Sequence, residues 1–170
     1  MSELVLPHRP GGLVVSLPWA GTFRVEKFWA DDDPARAEPW EVVEGPNALL
    51  TAGAQAIFQR MGDDTVARFN ASNARLCVGN GTAAVAAGQT DLQGASKTRK
   101  IVDSAPVISG NTWTLVATFG TGDANHAWEE AGIANHASAG VLLNRVVQNF
   151  GTKTSGMTWV LTAVATLGAS

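Results

Sequence analysis

The chain has 170 residues and a net charge of −3, from 12 basic and 15 acidic residues. This length predicts one domain, which would bury about two-thirds of its unfolded-chain surface without needing disulfides or metals. The slightly acidic balance argues against nucleic-acid binding, which normally needs a basic stripe. The 45% apolar content argues against an acidic disordered chain.

Cys77 is the only cysteine, so neither an internal disulfide nor a cysteine-based zinc site can form. Its place in the apolar run ARLCV predicts a buried and inert thiol. The first residues, MSELVLPHRPGG, lack the basic and unbroken apolar parts of a secretory signal. No apolar run approaches the ~20 residues of a membrane-spanning helix. We therefore expect a soluble protein made in the cytoplasm, with no membrane partner.

The N-terminal part predicts two short strands within residues 12–29, separated by a turn at 18–21. The polar segment ADDDPARAEP, residues 30–39, predicts an exposed loop. Residues 1–46 contain more proline and acid than the rest of the chain. We interpret them as a possible arm or flap on a single domain, 1–170, whose helix and sandwich occupy 47–170.

Residues 47–61 predict a helix of about four turns. Asn47 suits its N-cap position, and Gly62 suits its end. Seven residues at helical spacing predict its buried face: Leu49, Leu50, Gly53, Ala54, Ile57, Phe58 and Met61.

From residue 74 onward the chain is strand-like. Apolar and β-branched residues alternate over 112–119 and again over 157–167, which predicts strands with one face in the core. Short strands with Gly, Asn and Asp turns between them predict a mainly β fold. We expect an antiparallel β-sandwich, jelly-roll-like or Ig-like, with one α-helix.

The loop GNGTAAVAAGQTDLQG, residues 79–94, raises the question of a phosphate site. It has no lysine at the position a phosphate loop requires, and strand-like chain follows it instead of a helix. We interpret it as a connection whose small residues let the backbone run close to another surface.

A polar cluster, GDANHAWEEAGIANHASAG, contains His126, Glu130 and His136. On a helix, His126 and Glu130 would share a face and could bind a metal, so a small metal-dependent enzyme is one hypothesis. The metalloprotease order His-Glu-x-x-His is absent, however. The favoured interpretation is a turn leading into a strand, with Glu129 or Glu130 hydrogen-bonded to a neighbouring loop.

Several motifs in order resemble tailed-bacteriophage virion proteins. They are CVGNGTAAVAAGQTDLQG, ATFGTGDAN, EEAGI, VLLNRVV, GTKTSG and WVLTAVATL, and they extend over residues 74–168. The resemblance implies a β-sandwich module of capsid decoration or tail-fibre type. It also implies a symmetric assembly such as a homotrimer, no cofactor and no catalytic activity.

The free-standing length favours a decoration (cement) protein in the virion, bound to the major capsid protein or another virion protein. The alternative is a tail-fibre or baseplate component that binds a receptor or a glycan, with Trp113 or Trp128 stacking on sugars. Trp113 lies on a clean apolar face, however, and is better interpreted as a core residue. We expect the docking surface to involve the N-terminal aromatic residues Trp19, Phe23, Phe28, Trp29 and Trp40. The basic residues Lys97, Arg99 and Lys100 have two interpretations. They protect an exposed edge strand against pairing with another sheet, or they contact an acidic surface of a partner.

Overall fold

The computed structural model describes residues 18–62 and 66–168. One helix lies among its strands, α1 at Thr51–Gly62. The ten strands are β1 (Trp19–Trp29), β2 (Glu41–Pro46), β3 (Ala48–Leu49), β4 (Arg75–Gly79), β5 (Lys97–Ile101), β6 (Val107–Ser109), β7 (Thr112–Phe119), β8 (Ala127–Ala134), β9 (Leu142–Thr152) and β10 (Met157–Leu167).

The strands form two five-stranded antiparallel sheets packed as a sandwich, so the predicted fold class is confirmed. Sheet A has the order β2-β1-β10-β7-β6, and sheet B has the order β3-β9-β8-β4-β5. No helix of the described residues is long and apolar enough to cross a membrane.

The core lies between the two sheets. The alternation predicted for β7 and β10 is confirmed, because Leu115 and Leu161 on the apolar faces are buried. Three rings meet at the centre, with Trp128 edge-on to Phe119 and Trp159 at centroid distances of 4.7 and 4.8 Å. Such edge-to-face pairs stabilise a core beyond the effect of area burial alone.

The predicted turn at 18–21 is wrong where the structure describes it. Trp19 opens an unbroken 11-residue strand, β1, which pairs with β10 from Trp19–Leu167 to Trp29–Met157. Pairing along this whole length outweighs the local turn preference of Gly21. Residues 19–46 of the predicted arm thus supply two strands of sheet A, and residues 1–17 lie outside the described residues.

Helix α1 is present, but its predicted N-cap and buried face need correction. Asn47 precedes the short strand β3, and its Oδ1 instead accepts hydrogen bonds from Trp19 Nε1 at 3.1 Å and Asn144 Nδ2 at 3.0 Å. Phe58 and Met61 are 69% and 77% exposed, whereas the small residues Gly53 and Ala56 are buried. The helix lies so close to strand β9 that only small residues fit at the contact.

Candidate functional site

The polar cluster and the glycine loop turn out to be one arrangement centred on Glu130. This residue lies on β8 beside a register shift and is fully buried. Its Oε1 accepts hydrogen bonds from the backbone N–H groups of Gly81 (3.1 Å) and Gly94 (2.7 Å). Its Oε2 accepts one from Gln93 N at 2.9 Å. The predicted hydrogen bond between a glutamate of this segment and a neighbouring loop is therefore confirmed.

Arg145, from the adjacent strand β9, completes the cluster. Its Nε lies 2.7 Å from Glu130 Oε2, and both side chains have no exposed surface. Its Nη1 donates to Ala83 O at 2.9 Å and to Gln89 Oε1 at 3.0 Å. The guanidinium thus neutralises the carboxylate and ties a second part of the loop to the sheet.

The glycines of the loop are explained by this carboxylate. A Cβ added at Gly79 or Gly81 would lie 2.6 or 2.5 Å from Glu130 Oε1, closer than any real contact. The loop therefore does approach an anion closely, but that anion is the chain's own Glu130. The N–H groups of Gly81, Gln93 and Gly94 are used internally, which supports the interpretation of the loop as a connection.

The metal site considered for His126, Glu130 and His136 is not formed. His126 Nδ1 lies 2.8 Å from Ala127 O, and its Nε2 lies 3.3 Å from Thr98 Oγ1. His136 Nδ1 accepts hydrogen bonds from the backbone of Ser138 and Ala139. Within residues 18–62 and 66–168, no three His, Cys, Asp or Glu side chains are grouped so as to hold a metal ion.

Cys77 lies on β4 with its thiol fully buried, as predicted. Burial raises the pKa of this thiol to about 12, although the nearby charge of Arg99 acts in the opposite direction. A thiol with so high a pKa carries almost no thiolate near neutral pH, so it is unsuited to nucleophilic catalysis.

The basic residues of β5 lie on an edge strand of sheet B and pair with carboxylates of the same chain. Asp91 forms ion pairs with two of them: Lys97 Nζ lies 2.8 Å from its Oδ2, and Arg99 Nη2 lies 2.8 Å from its Oδ1. Lys100 Nζ lies 2.6 Å from Asp123 Oδ2, and this hydrogen bond lowers the pKa of Asp123. The position of β5 agrees with a lysine-protected edge, and its charges are largely satisfied within the molecule.

The predicted aromatic docking set separates into three environments. Phe23 and Phe28 are core residues, 0% and 2% exposed, so they cannot contact a partner on this surface. Trp19 is partly buried and packs against the core. Only Trp29 and Trp40 of this set are well exposed, at 54% and 43%.

Trp29 and Trp40 form a stacked pair at the β1–β2 hairpin. Their ring centroids are 5.2 Å apart with an interplanar angle of 19°. Lys27 lies between this pair and the core. Its Nζ is 5.5 Å from the centroid of the Trp40 ring and 4.7 Å from that of the buried Trp159 ring. Lys27 is 3% exposed and pairs with Glu41 Oε2 at 2.7 Å. The stack therefore presents apolar surface to solvent beside a buried, paired lysine.

The two tryptophans considered for sugar stacking lie elsewhere. Trp128 is fully buried, and Trp113 is partly buried against the core. The candidate surface site is therefore the Trp29–Trp40 pair. The sequence-based prediction placed this pair in one docking set with Phe23 and Phe28, which are buried. The signal available in the sequence was the position of the two tryptophans on either side of the polar loop 30–39.

Comparison with known proteins gives no relative. No protein-family model matches the chain, and no curated protein or solved structure is significantly similar to it.

Proposed function

We propose that the chain is a non-enzymatic structural protein of a tailed-phage virion, a capsid decoration protein that docks through the Trp29–Trp40 pair. The observation that carries the proposal is this exposed stack, whose Trp40 ring lies over the buried Lys27. The order of motifs over residues 74–168 supports the virion class. The internal pairing of Glu130, Arg145 and the β5 cations fits a protein that binds through apolar surface.

The chemistry of the pair suits a binding contact. Tryptophan is enriched among the residues that dominate interface energies, because a large rigid ring loses little conformational entropy on binding. Here the Trp40 ring lies over Lys27 and stacks on Trp29, so the two rings are already packed together before any partner binds. We expect the partner to be the major capsid protein or another virion protein, with self-association as a homotrimer placing several copies of the pair on one assembly.

The test is binding of the purified chain to empty capsids that were assembled without it. The W29A/W40A double variant should bind about 10- to 100-fold more weakly, because tryptophan hot spots contribute about 2 kcal/mol or more. The matched control is Phe58→Ala, which removes a 69% exposed ring from α1 and should leave affinity unchanged. Equal affinity of the parent and the double variant would refute docking through the pair.

The same pair supports a second candidate, a tail-fibre or baseplate component that binds a receptor or a glycan. Tryptophan presents a large apolar ring with a polar N–H, which suits stacking on the apolar face of a sugar. Absence of capsid binding, together with a W29A/W40A-sensitive signal on a glycan array or on host cells, would favour this function.

A further inference from the structure

The Trp29–Trp40 pair lies in a strongly acidic part of the chain. Residues 19–46, from the start of β1 to the end of β2, contain seven carboxylates and three cations, a net charge of −4. The whole chain has a net charge of −3, so the remaining residues have one net positive charge. The excess negative charge of the molecule is therefore concentrated in the hairpin that carries the exposed tryptophan pair.

All three cations of the hairpin form ion pairs with carboxylates of the same hairpin. The pairs are Lys27 with Glu41 at 2.7 Å, Arg36 with Asp33 at 3.5 Å, and Arg24 with Glu26 at 2.7 Å and Glu44 at 3.1 Å. Asp31 and Glu38 are exposed and form no ion pair with any residue that the structure describes. Their charges are therefore available to a partner.

The loop that joins β1 to β2 brings its carboxylates to the same end of the hairpin as the rings. Asp32 Oδ2 accepts a hydrogen bond from Trp29 N at 2.9 Å, and Trp29 O accepts one from Asp32 N at 3.1 Å. At the other end of the loop, Trp40 N donates to Lys27 O at 2.9 Å. Both tryptophans thus flank the loop that contains Asp31 and Glu38.

A partner that covers the pair must also approach these carboxylates. A purely apolar partner would remove them from water without compensation, and an acidic partner would be repelled. A cationic side chain avoids both penalties, because it pairs with a carboxylate and is attracted by the face of an indole ring. Arginine suits both contacts, since its planar guanidinium stacks on aromatic faces and binds carboxylates.

We propose that the Trp29–Trp40 pair docks on a protein surface whose apolar contact is bordered by arginine side chains. This inference rests on the docking role proposed above for the pair, and it specifies the chemistry of the partner. In this arrangement the rings supply the apolar contact, and Asp31 and Glu38 form ion pairs at its edge. Such edge charges act mainly on the association rate and on the salt dependence of binding.

The test uses a fluorescently labelled peptide of leucine and arginine, and a second peptide in which citrulline, the neutral isostere, replaces each arginine. Binding to the full chain is followed by fluorescence anisotropy at low and high salt. The arginine peptide should bind at least about tenfold more tightly than the citrulline peptide, and salt should weaken its binding. The W29A/W40A variant should lose this binding, and D31N/E38Q should weaken it about fivefold or more.

Glu129→Gln is the matched control, because it removes one negative charge from β8, in the other sheet. The E129Q variant should bind the arginine peptide as the parent does. Four results would overturn the proposal: no binding of the arginine peptide, equal affinity for the two peptides, unchanged binding by D31N/E38Q, or equal weakening in E129Q. The experiment needs no capsid, so a preference for arginine without capsid binding would refute the decoration function but not the partner chemistry.

Discussion

The Glu130 carboxylate connects three parts of the chain that are distant in sequence. It accepts hydrogen bonds from backbone N–H groups near both ends of the 79–94 loop and from the guanidinium of Arg145. A buried ion pair adds little stability compared with apolar residues, but removing one partner leaves an uncompensated buried charge. We therefore expect the free energy of unfolding to fall strongly when either partner of the Glu130–Arg145 pair is removed.

Glu130→Gln preserves the side-chain volume but removes the negative charge that Arg145 requires. The free energy of unfolding should fall by about 3–5 kcal/mol, measured by chemical denaturation. Glu129→Gln, at the neighbouring and partly exposed position, should change it by less than about 0.5 kcal/mol. Similar stability of the two variants would contradict the assigned role of the cluster.

Gly81→Ala tests the close approach of the loop to this carboxylate. The added Cβ would lie 2.5 Å from both Glu130 Oε1 and Gly94 N, so it should destabilise the fold by about 1–3 kcal/mol. The control is Gly88→Ala in the same loop, where a Cβ meets no atom within 4 Å. Since alanine restricts the unfolded chain, G88A should be neutral or stabilising by up to about 1 kcal/mol, and thermal unfolding would compare the two.

Cys77 makes stability depend on pH at the alkaline end. Its pKa rises from 9.0 to about 12 on folding. Above pH 9 the unfolded thiol therefore loses its proton while the folded thiol keeps it. The free energy of unfolding should then fall with increasing pH, by up to about 1.4 kcal/mol per pH unit from this group.

Denaturation curves from about pH 8 to about pH 11 measure this slope, and Cys77→Ala separates the thiol from other titrating groups. The parent should lose stability more steeply than C77A above pH 9. Parallel pH profiles would show that the thiol ionises equally in the folded and unfolded states.

At the scale of elements, α1 is held against β9 through Gly53. A Cβ at this position would overlap the carbonyl oxygen of Leu143, which already accepts a hydrogen bond from Leu50 N at 3.0 Å. Alanine normally favours a helix over glycine by about 1 kcal/mol. At position 53 the close contact with the Leu143 backbone should outweigh this preference, so alanine should destabilise the fold.

We accordingly predict that Gly53→Ala lowers the free energy of unfolding by about 1–3 kcal/mol in chemical denaturation. Gln55→Ala, at an exposed position of the same helix, should change it by less than about 0.5 kcal/mol. A stabilising G53A would mean that the helix can move away from β9 at little cost.

Strands whose faces alternate cleanly could be predicted from the sequence. The buried face of α1 was predicted correctly at Leu50 and Gly53, but not at its C-terminal end. In β10 Trp159, Leu161, Ala163 and Ala165 are buried and alternate with partly buried residues, so the period of two is visible directly. On α1 the contact with β9 selects small residues, and the large residues Phe58 and Met61 remain exposed. At a close backbone contact, residue size therefore decides which residues are buried more than hydrophobicity does. The spacing of hydrophobic residues in the sequence does not reveal where such a contact lies.

For the whole molecule, the sandwich class follows from strand number and turn chemistry, but the strand order does not. Glu130 and Arg145 meet because β8 and β9 are neighbours, whereas Gly81 and Gly94 reach Glu130 through a loop closed by β4 and β5. These are long-range pairings that no local pattern encodes. Likewise, Phe23 and Trp29 lie on one strand, and only the packing shows which ring is buried and which is exposed.

We propose that this chain is a structural component of a phage head, and its location in the virion tests that proposal most directly. Virions from the source of the sequence would be labelled with an antibody to this chain and imaged by immunogold electron microscopy. Our account predicts regular label over the head surface. Label confined to the end of a tail would contradict decoration and favour the fibre or baseplate function, and absence of label would contradict the virion assignment altogether.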